Sequence, residues 1–164
     1  MARKSMMVVG VVLGLVLAGS LVSAQSAEPW VGTWKLNLAK SKFTPGPPPK
    51  SNTLKIEAVA GGTQKHTFDG INAQGQVTHS ERLAKFDGTD VPVQAVAPAS
   101  TTATTNAFRR TGDHSFEVLA KTGGKLTTTN RIVVSADGKT LTQTTTGTNA
   151  QGQTVSNVTV YDKQ

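Results

Sequence analysis

The chain has 164 residues, a formal net charge of +7 and no cysteine. Without cysteine it forms no disulfide, performs no thiol chemistry and offers no thiolate metal site. The positive charges are scattered as single Lys and Arg residues, and Arg109-Arg110 is the only adjacent pair beyond residue 24. A nucleic-acid-binding surface calls for a concentrated basic stripe with interleaved aromatic residues, so the composition argues against a nucleic-acid partner.

The N-terminus has the pattern of a secretory signal peptide. Two cationic residues precede an uninterrupted apolar run over residues 6–18, and Val22 and Ala24 occupy the −3 and −1 positions of a signal-peptidase site. The apolar run is shorter than the ~20 residues that a membrane-spanning helix needs. We therefore predict residues 1–24 to be a signal peptide and residues 25–164 to be the mature domain. The mature protein is expected to be periplasmic or extracellular, with no stable membrane anchor after cleavage.

From residue 30 onward, apolar and polar residues alternate with period two, the pattern of half-buried β-strands. The predicted strands cover residues 31–38, 53–59, 64–69, 76–86, 101–108, 115–121, 125–135, 140–146 and 154–162. Residues 44–49 contain four prolines, which cannot donate to a strand ladder, so a stiff loop is predicted there. The stretch 91–99, rich in Val, Pro and Ala, is predicted to cross to the next part of the sheet.

Short connections between these strands indicate a meander. Gly123-Gly124 and Asp137-Gly138 suit two-residue hairpin turns, because glycine tolerates the positive φ that such turns require. The sequence NAQGQ occurs at residues 72–76 and again at 149–153, which predicts two similar turns. An open meander of nine strands has two unpaired edges, and closure removes them. We predict an all-β, antiparallel up-and-down barrel of the lipocalin-like type, with a β-sandwich as the alternative.

The segment Gly32-Thr33-Trp34 resembles the first strand of the calycin group, which includes the lipocalins and the fatty-acid-binding proteins. In those families the tryptophan plugs one end of an antiparallel barrel, and a small apolar ligand binds at the other end. Many lipocalins also place an Arg of the last strand across this tryptophan. The last predicted strand here has no Arg, and Arg131 on the preceding long strand is the candidate substitute.

Longer stretches of the chain resemble a group of uncharacterised exported bacterial proteins. The matching stretches are residues 32–43, 86–93, 135–140 and 147–164. This resemblance implies a lipocalin-like barrel and an exported location, and it implies no particular activity.

No catalytic or metal site is expected. His66, His79 and His114 fall in separate strands or turns without paired metal-ligand spacing. The one arrangement that brings two of them together is His66 facing His79 across the turn at residues 70–76. The chain also has no Gly-x-Ser-x-Gly elbow and no glycine-rich phosphate loop followed by a helix. We expect a non-enzymatic protein without a cofactor.

The barrel interior is the better candidate for function. The alternation directs inward Trp34, Leu36, Leu54, Ile56, Phe68, Phe116, Val118, Leu126 and Ile132. The predicted ligand-binding residues are Trp34, Leu36, Phe68, Asn106, Phe116, Asn130, Arg131 and Gln143. A mostly apolar lining with a few polar groups is typical of small-molecule sites. Small barrels also simply fill their interior with side chains. A small, partly apolar ligand and a filled barrel acting as a structural or interaction protein of the cell envelope both stay open here.

Overall fold

The structure, a computed structural model, describes residues 28–98, 102–149 and 151–164, and the predicted signal peptide lies outside these residues. The strands are β1 Gly32–Leu36, β2 Ser51–Val59, β3 Thr63–Ile71, β4 Val77–Ala84, β5 Asp87–Pro92, β6 Gln94–Ala97, β7 Thr104–Gly112, β8 Ser115–Thr122, β9 Lys125–Val134, β10 Thr140–Thr148 and β11 Thr154–Lys163. Two short 3-10 turns, Leu38–Lys40 and Ala60–Gly62, interrupt the connections. Within the described ranges, no helix has the length and apolar character needed to cross a membrane.

The eleven strands of the described ranges belong to one antiparallel sheet, in the order β5-β7-β8-β9-β10-β11-β1-β2-β3-β4-β6. The two end strands are consecutive in the chain and are separated only by Val93. β5 pairs with β7, whereas β6 pairs with β4. One bent stretch of chain therefore joins the two ends of the sheet and closes most of the barrel. This confirms the predicted up-and-down barrel, and the residues predicted to cross within 91–99 do so as ladder strands.

One end of the barrel is plugged by aromatic side chains and is called the Trp end below. The Nε1–H of Trp34 donates to the carbonyl oxygen of Trp30 at 2.8 Å, and that of Trp30 donates to Oε1 of Gln64 at 3.0 Å. The ring of Trp30 also meets the ring of Phe116 edge-on, with centroids 5.0 Å apart. Both buried indole N–H groups thus have partners, as buried polar groups require.

The opposite end of the barrel is called the mouth. The turns between β3 and β4, between β8 and β9, and between β10 and β11 all lie there, beside the proline-containing loop. Residues Lys42 and Thr44 of that loop pair with Val158 and Ser156 of β11. The loop is therefore bonded edge to edge with β11 beyond the end of β1, at one side of the mouth.

The cation that packs across Trp34 is Lys163, whose Nζ lies 5.0 Å from the ring centroid. The prediction that Arg131 takes this role is wrong, because Arg131 is exposed on the outer face of the barrel. Its neighbours Asn130 and Ile132 face inward, and successive residues of a strand point to opposite faces. β11 extends to Lys163, which pairs directly with Trp34 in the ladder to β1.

The inward orientation predicted for Leu126 is also wrong, since 52% of this residue is exposed. In the ladder between β8 and β9, Ala120 pairs with Thr128, but the next residue of β8, Lys121, pairs with Leu126. Thr127 is therefore an extra residue in β9. A β-bulge of this kind reverses the facing of the residues on one side of it relative to those on the other side. The alternation of β9 consequently changes near the mouth.

The two NAQGQ turns are similar, as predicted, and they share their main hydrogen bonds. Oδ1 of Asn72 accepts from the backbone N–H of Gln76 at 2.9 Å, and Oδ1 of Asn149 accepts from that of Gln153 at 2.9 Å. In each turn the two side-chain amides also bond to each other. The repeat is thus explained by a shared turn structure.

Gly147 on β10 is a position where the barrel requires glycine. Its φ is +144°, and a Cβ there would overlap the carbonyl oxygen of Thr127 and the Cα of Thr128. We predict that Gly147→Ala lowers the free energy of unfolding by about 3 kcal/mol, because backbone strain and overpacking add. Gly138→Ala is the control, since its Cβ would meet open space at a φ of +69°. We expect Gly138→Ala to lower the free energy of unfolding by about 1 kcal/mol. Urea unfolding measures both, and equal losses would contradict the requirement for glycine at residue 147.

Candidate ligand site in the barrel interior

A cavity of about 240 Å³ lies inside the barrel, between the aromatic plug and the mouth. Its lining consists of Leu54, His66, Phe68, Arg82, Val93, Thr104, Asn106, Phe108, Phe116, Val118, Ala120, Asn130, Ile132 and Gln143. The small side chains Thr104 and Ala120 leave space that the large rings at the Trp end do not fill. The lining therefore combines three phenyl rings, amide groups and one guanidinium.

Five of the eight predicted ligand-binding residues line this cavity. They are Phe68, Asn106, Phe116, Asn130 and Gln143. Trp34 is fully buried in the plug, Leu36 packs half-buried against the core, and Arg131 lies outside. The alternation thus identified the inward face on most strands, but it did not show how far along each strand the plug extends.

A cluster of polar side chains lies on the mouth side of the cavity. Oδ1 of Asn130 accepts from Nε2 of Gln143 at 3.0 Å and from Oγ1 of Thr145 at 2.8 Å. The Nδ2 of Asn130 donates weakly to the carbonyl oxygen of Val118 at 3.4 Å. These groups partly satisfy one another and connect β9 to β10 by their side chains.

Arg82 on β4 is the charged group of the cavity, and the sequence analysis missed it. Its guanidinium lies 4.2 Å from the ring centroid of Phe68, a cation–π contact. With the Asn106 amide oriented to satisfy both neighbours, Nη1 of Arg82 donates to the amide oxygen at 2.9 Å and the amide nitrogen donates to the carbonyl oxygen of Thr105 at 3.0 Å. Neither partner of Arg82 carries a negative charge.

No ion pair among the described residues involves Arg82. Burial lowers the pKa of Arg82 to about 10, and the nearby Tyr161 phenol acts in the opposite direction. The residue as a whole is half-buried, and it borders both the interior cavity and the clefts beside β4. It stays charged at neutral pH, while burial raises the pKa of Tyr161 to about 12 and keeps the phenol neutral. No carboxylate among the described residues therefore offsets the positive charge of Arg82.

His66 lies beside Arg82 in the ladder between β3 and β4, and only 2% of it is exposed. Burial, with a further contribution from the Arg82 charge, lowers the pKa of His66 to about 3. His79 faces outward and bonds to Asp69 at 2.6 Å, so His66 and His79 do not meet. Nor do the described ranges contain a cluster of three His, Asp or Glu side chains placed to hold a metal.

Comparison with solved structures shows the same fold in the fluorescent protein UnaG. Crystal structures of its wild type and of a point mutant each match with a TM-score of 0.54 and 16% sequence identity. Each match covers 84% of this chain, with 97% of the mutant chain and 98% of the wild-type chain. No protein-family model and no curated protein sequence matches the chain. The structural likeness confirms the lipocalin-like barrel fold.

The neutral state of His66 makes the stability of the barrel depend on pH. Between the unfolded pKa of 6.5 and the folded pKa of about 3, the unfolded chain binds the additional proton. This contribution to stability is complete above the higher value and is lost as the pH falls toward the lower one. The wild type loses stability between about pH 7 and about pH 4, because unfolding lets His66 take up a proton. We predict that the loss in free energy of unfolding over this range is about 3 kcal/mol smaller in His66→Gln.

Urea unfolding of wild type and His66→Gln at the two pH values measures this difference. Identical pH dependence in wild type and His66→Gln would show that His66 is not held neutral by burial.

Proposed function

We propose that this barrel is a non-enzymatic binding protein that holds a small, partly apolar molecule with an anionic group in its interior. The observation that carries the proposal is Arg82, a guanidinium facing the cavity whose partners among the described residues are a phenyl ring and a neutral amide. A charge removed from water without a counter-ion is unfavourable. A ligand carboxylate, sulfonate or phosphate would supply the counter-ion and form charge-assisted hydrogen bonds.

The rest of the lining supports a ligand with an apolar body. Phe68, Phe108 and Phe116 offer ring surfaces, and Asn106 beside Arg82 offers an amide for a further polar group. At about 240 Å³ the cavity is smaller than the roughly 300–1,000 Å³ that ligand pockets occupy, which favours a compact molecule. The likeness to UnaG is a likeness of fold, so the argument for a ligand depends on this chain's own residues.

The alternative is a filled barrel that acts as a structural or interaction protein of the cell envelope. It predicts interior polar groups that satisfy one another. The cluster of Asn130, Gln143 and Thr145 fits that alternative. Arg82 does not, because its hydrogen bond to Asn106 leaves its charge without an opposite charge. Arg82 therefore favours the ligand-binding proposal.

The test compares two probes that differ in one charged group. The dye 1-anilinonaphthalene-8-sulfonate carries a sulfonate, and N-phenyl-1-naphthylamine has the same rings without it. We predict that the sulfonate dye binds the wild type more tightly, and that Arg82→Met weakens its binding by at least about tenfold, the loss of one hydrogen bond to a charged group. Fluorescence titration measures both affinities, and the neutral dye should change little.

Arg131→Met is the matched control, since Arg131 is exposed on the outer face. Its affinity for the sulfonate dye should equal that of the wild type, and Arg82→Lys should retain part of it. Equal affinities of Arg82→Met and Arg131→Met for the sulfonate dye would contradict the proposal.

We also propose that the barrel works outside the cytoplasm, as a periplasmic or extracellular protein. The signal-peptide pattern that ends at Ala24 supports this location. Expression in an export-competent bacterial host should give a mature protein that begins at Gln25, identified by intact mass and N-terminal sequencing. An uncleaved chain recovered from the cytoplasm would contradict the location.

A further inference from the structure

The barrel wall has a gap between β4 and β5, which we call the seam. The ladders of β4 join it to β3 and β6, and the ladder of β5 joins it to β7. Across the described part of the chain, no backbone ladder connects β4 with β5. Pro92, the last residue of β5, has no N–H to contribute to one. Moving these two strands apart therefore breaks no backbone hydrogen bonds between them.

A cleft of about 440 Å³ lies on the seam. Leu83 of β4 and Val91 and Pro92 of β5 form its apolar surface. The charged groups of the cleft are Lys65, Lys85, Arg82 and Glu81. Lys65 and Glu81 bond to each other at 2.7 Å, so the remaining charges of the cleft are positive. The cleft therefore matches a molecule with an apolar body and an anionic group.

Arg82 borders both this outer cleft and the interior cavity. Its hydrogen bond to Asn106 joins β4 to β7, two strands that are not neighbours in the sheet. This side-chain bond thus crosses the seam, where no backbone ladder joins β4 and β5. An anion on Arg82 would replace the neutral amide as the stronger partner.

The mouth is a less favourable route into the cavity. On that side, Asn130, Gln143 and Thr145 hydrogen bond to one another inside the lumen. These three side chains lie on the neighbouring strands β9 and β10, so they line one wall of the mouth and offer no charged group to an anion. At the seam, the bond that must open is the one between Arg82 and Asn106, and Arg82 is itself the group that binds the anion.

We propose that the ligand enters the barrel sideways through the seam, with Arg82 exchanging Asn106 for the anionic group of the ligand. This inference rests on the proposed binding function and adds the route by which the site is filled. Lys85 at the outer edge of the cleft attracts the anion before it reaches Arg82. Entry is accordingly sensitive to bulk and to charge at the seam, and insensitive to both at the mouth.

Two leucines provide a matched test of the route. Leu83 lies on the seam and Leu126 lies at the mouth, and each is 52% exposed. Because the chain has no cysteine, Leu83→Cys and Leu126→Cys are each labelled at one site by a polyethylene glycol maleimide. Stopped-flow fluorescence then measures the association rate of 1-anilinonaphthalene-8-sulfonate. We expect the label at residue 83 to slow association by about tenfold or more, and the label at residue 126 to leave it unchanged.

A second pair of variants changes charge without adding bulk. Lys85→Glu should slow association of the dye by about two- to fivefold at low salt, and the difference should vanish at high salt. Lys125→Glu at the mouth makes the same change in net charge and should have no such effect.

A label at residue 126 that slows association as much as one at residue 83, or no slowing by either, would overturn the seam route. Both results leave equilibrium binding of the dye by the unlabelled protein intact, so the proposed function would stand. Failure of the unlabelled protein to bind the dye would instead contradict the proposed function, and the seam route with it.

Discussion

One interaction underlies both the proposed site and the seam: a guanidinium held inside a β-barrel against a phenyl ring and a neutral amide. The charge of Arg82 lowers the pKa of His66 beside it, in addition to the effect of burial. Its hydrogen bond to Asn106 ties β4 to β7 where the sheet has no continuous ladder. A protein stabilised by a filled core has no need of an uncompensated charge at this position. The proposed site for an anion would account for both the charge and the space beside it.

The rest of the barrel explains how Arg82 can lie beside an unfilled part of the lumen. The plug of Trp30, Trp34 and Phe116 uses ordinary burial and satisfied indole groups to close one end. Because that end supplies a tightly packed core, the other half of the lumen can carry amides and hydroxyls. At Val93 the chain changes its ladder partner from β7 to β4, which brings the two ends of the sheet together but leaves a gap between β4 and β5. Arg82 lies beside this gap, at the boundary between lumen and surface.

Sequence patterns predicted the fold better than the site. Period-two alternation identified nine strands, and the repeated NAQGQ predicted two similar turns. β5 and β6 were not identified as strands because a change of partner within one short stretch depends on tertiary pairing. The bulge at Thr127 reversed Leu126 for a similar reason. Arg82 was missed because β4 has little hydrophobic alternation, although counting back by twos from Phe86 through Ala84 indicates that residue 82 faces inward.

The most direct test of the central claim is a crystal structure of the mature protein saturated with 1-anilinonaphthalene-8-sulfonate. The proposed site predicts the naphthalene ring within the lumen against Phe68 and Phe116. It also predicts a sulfonate oxygen about 2.8 Å from the guanidinium of Arg82, the length of a charge-assisted hydrogen bond. A dye bound only to the outer surface, with the bond between Arg82 and Asn106 intact and the lumen unchanged, would contradict it.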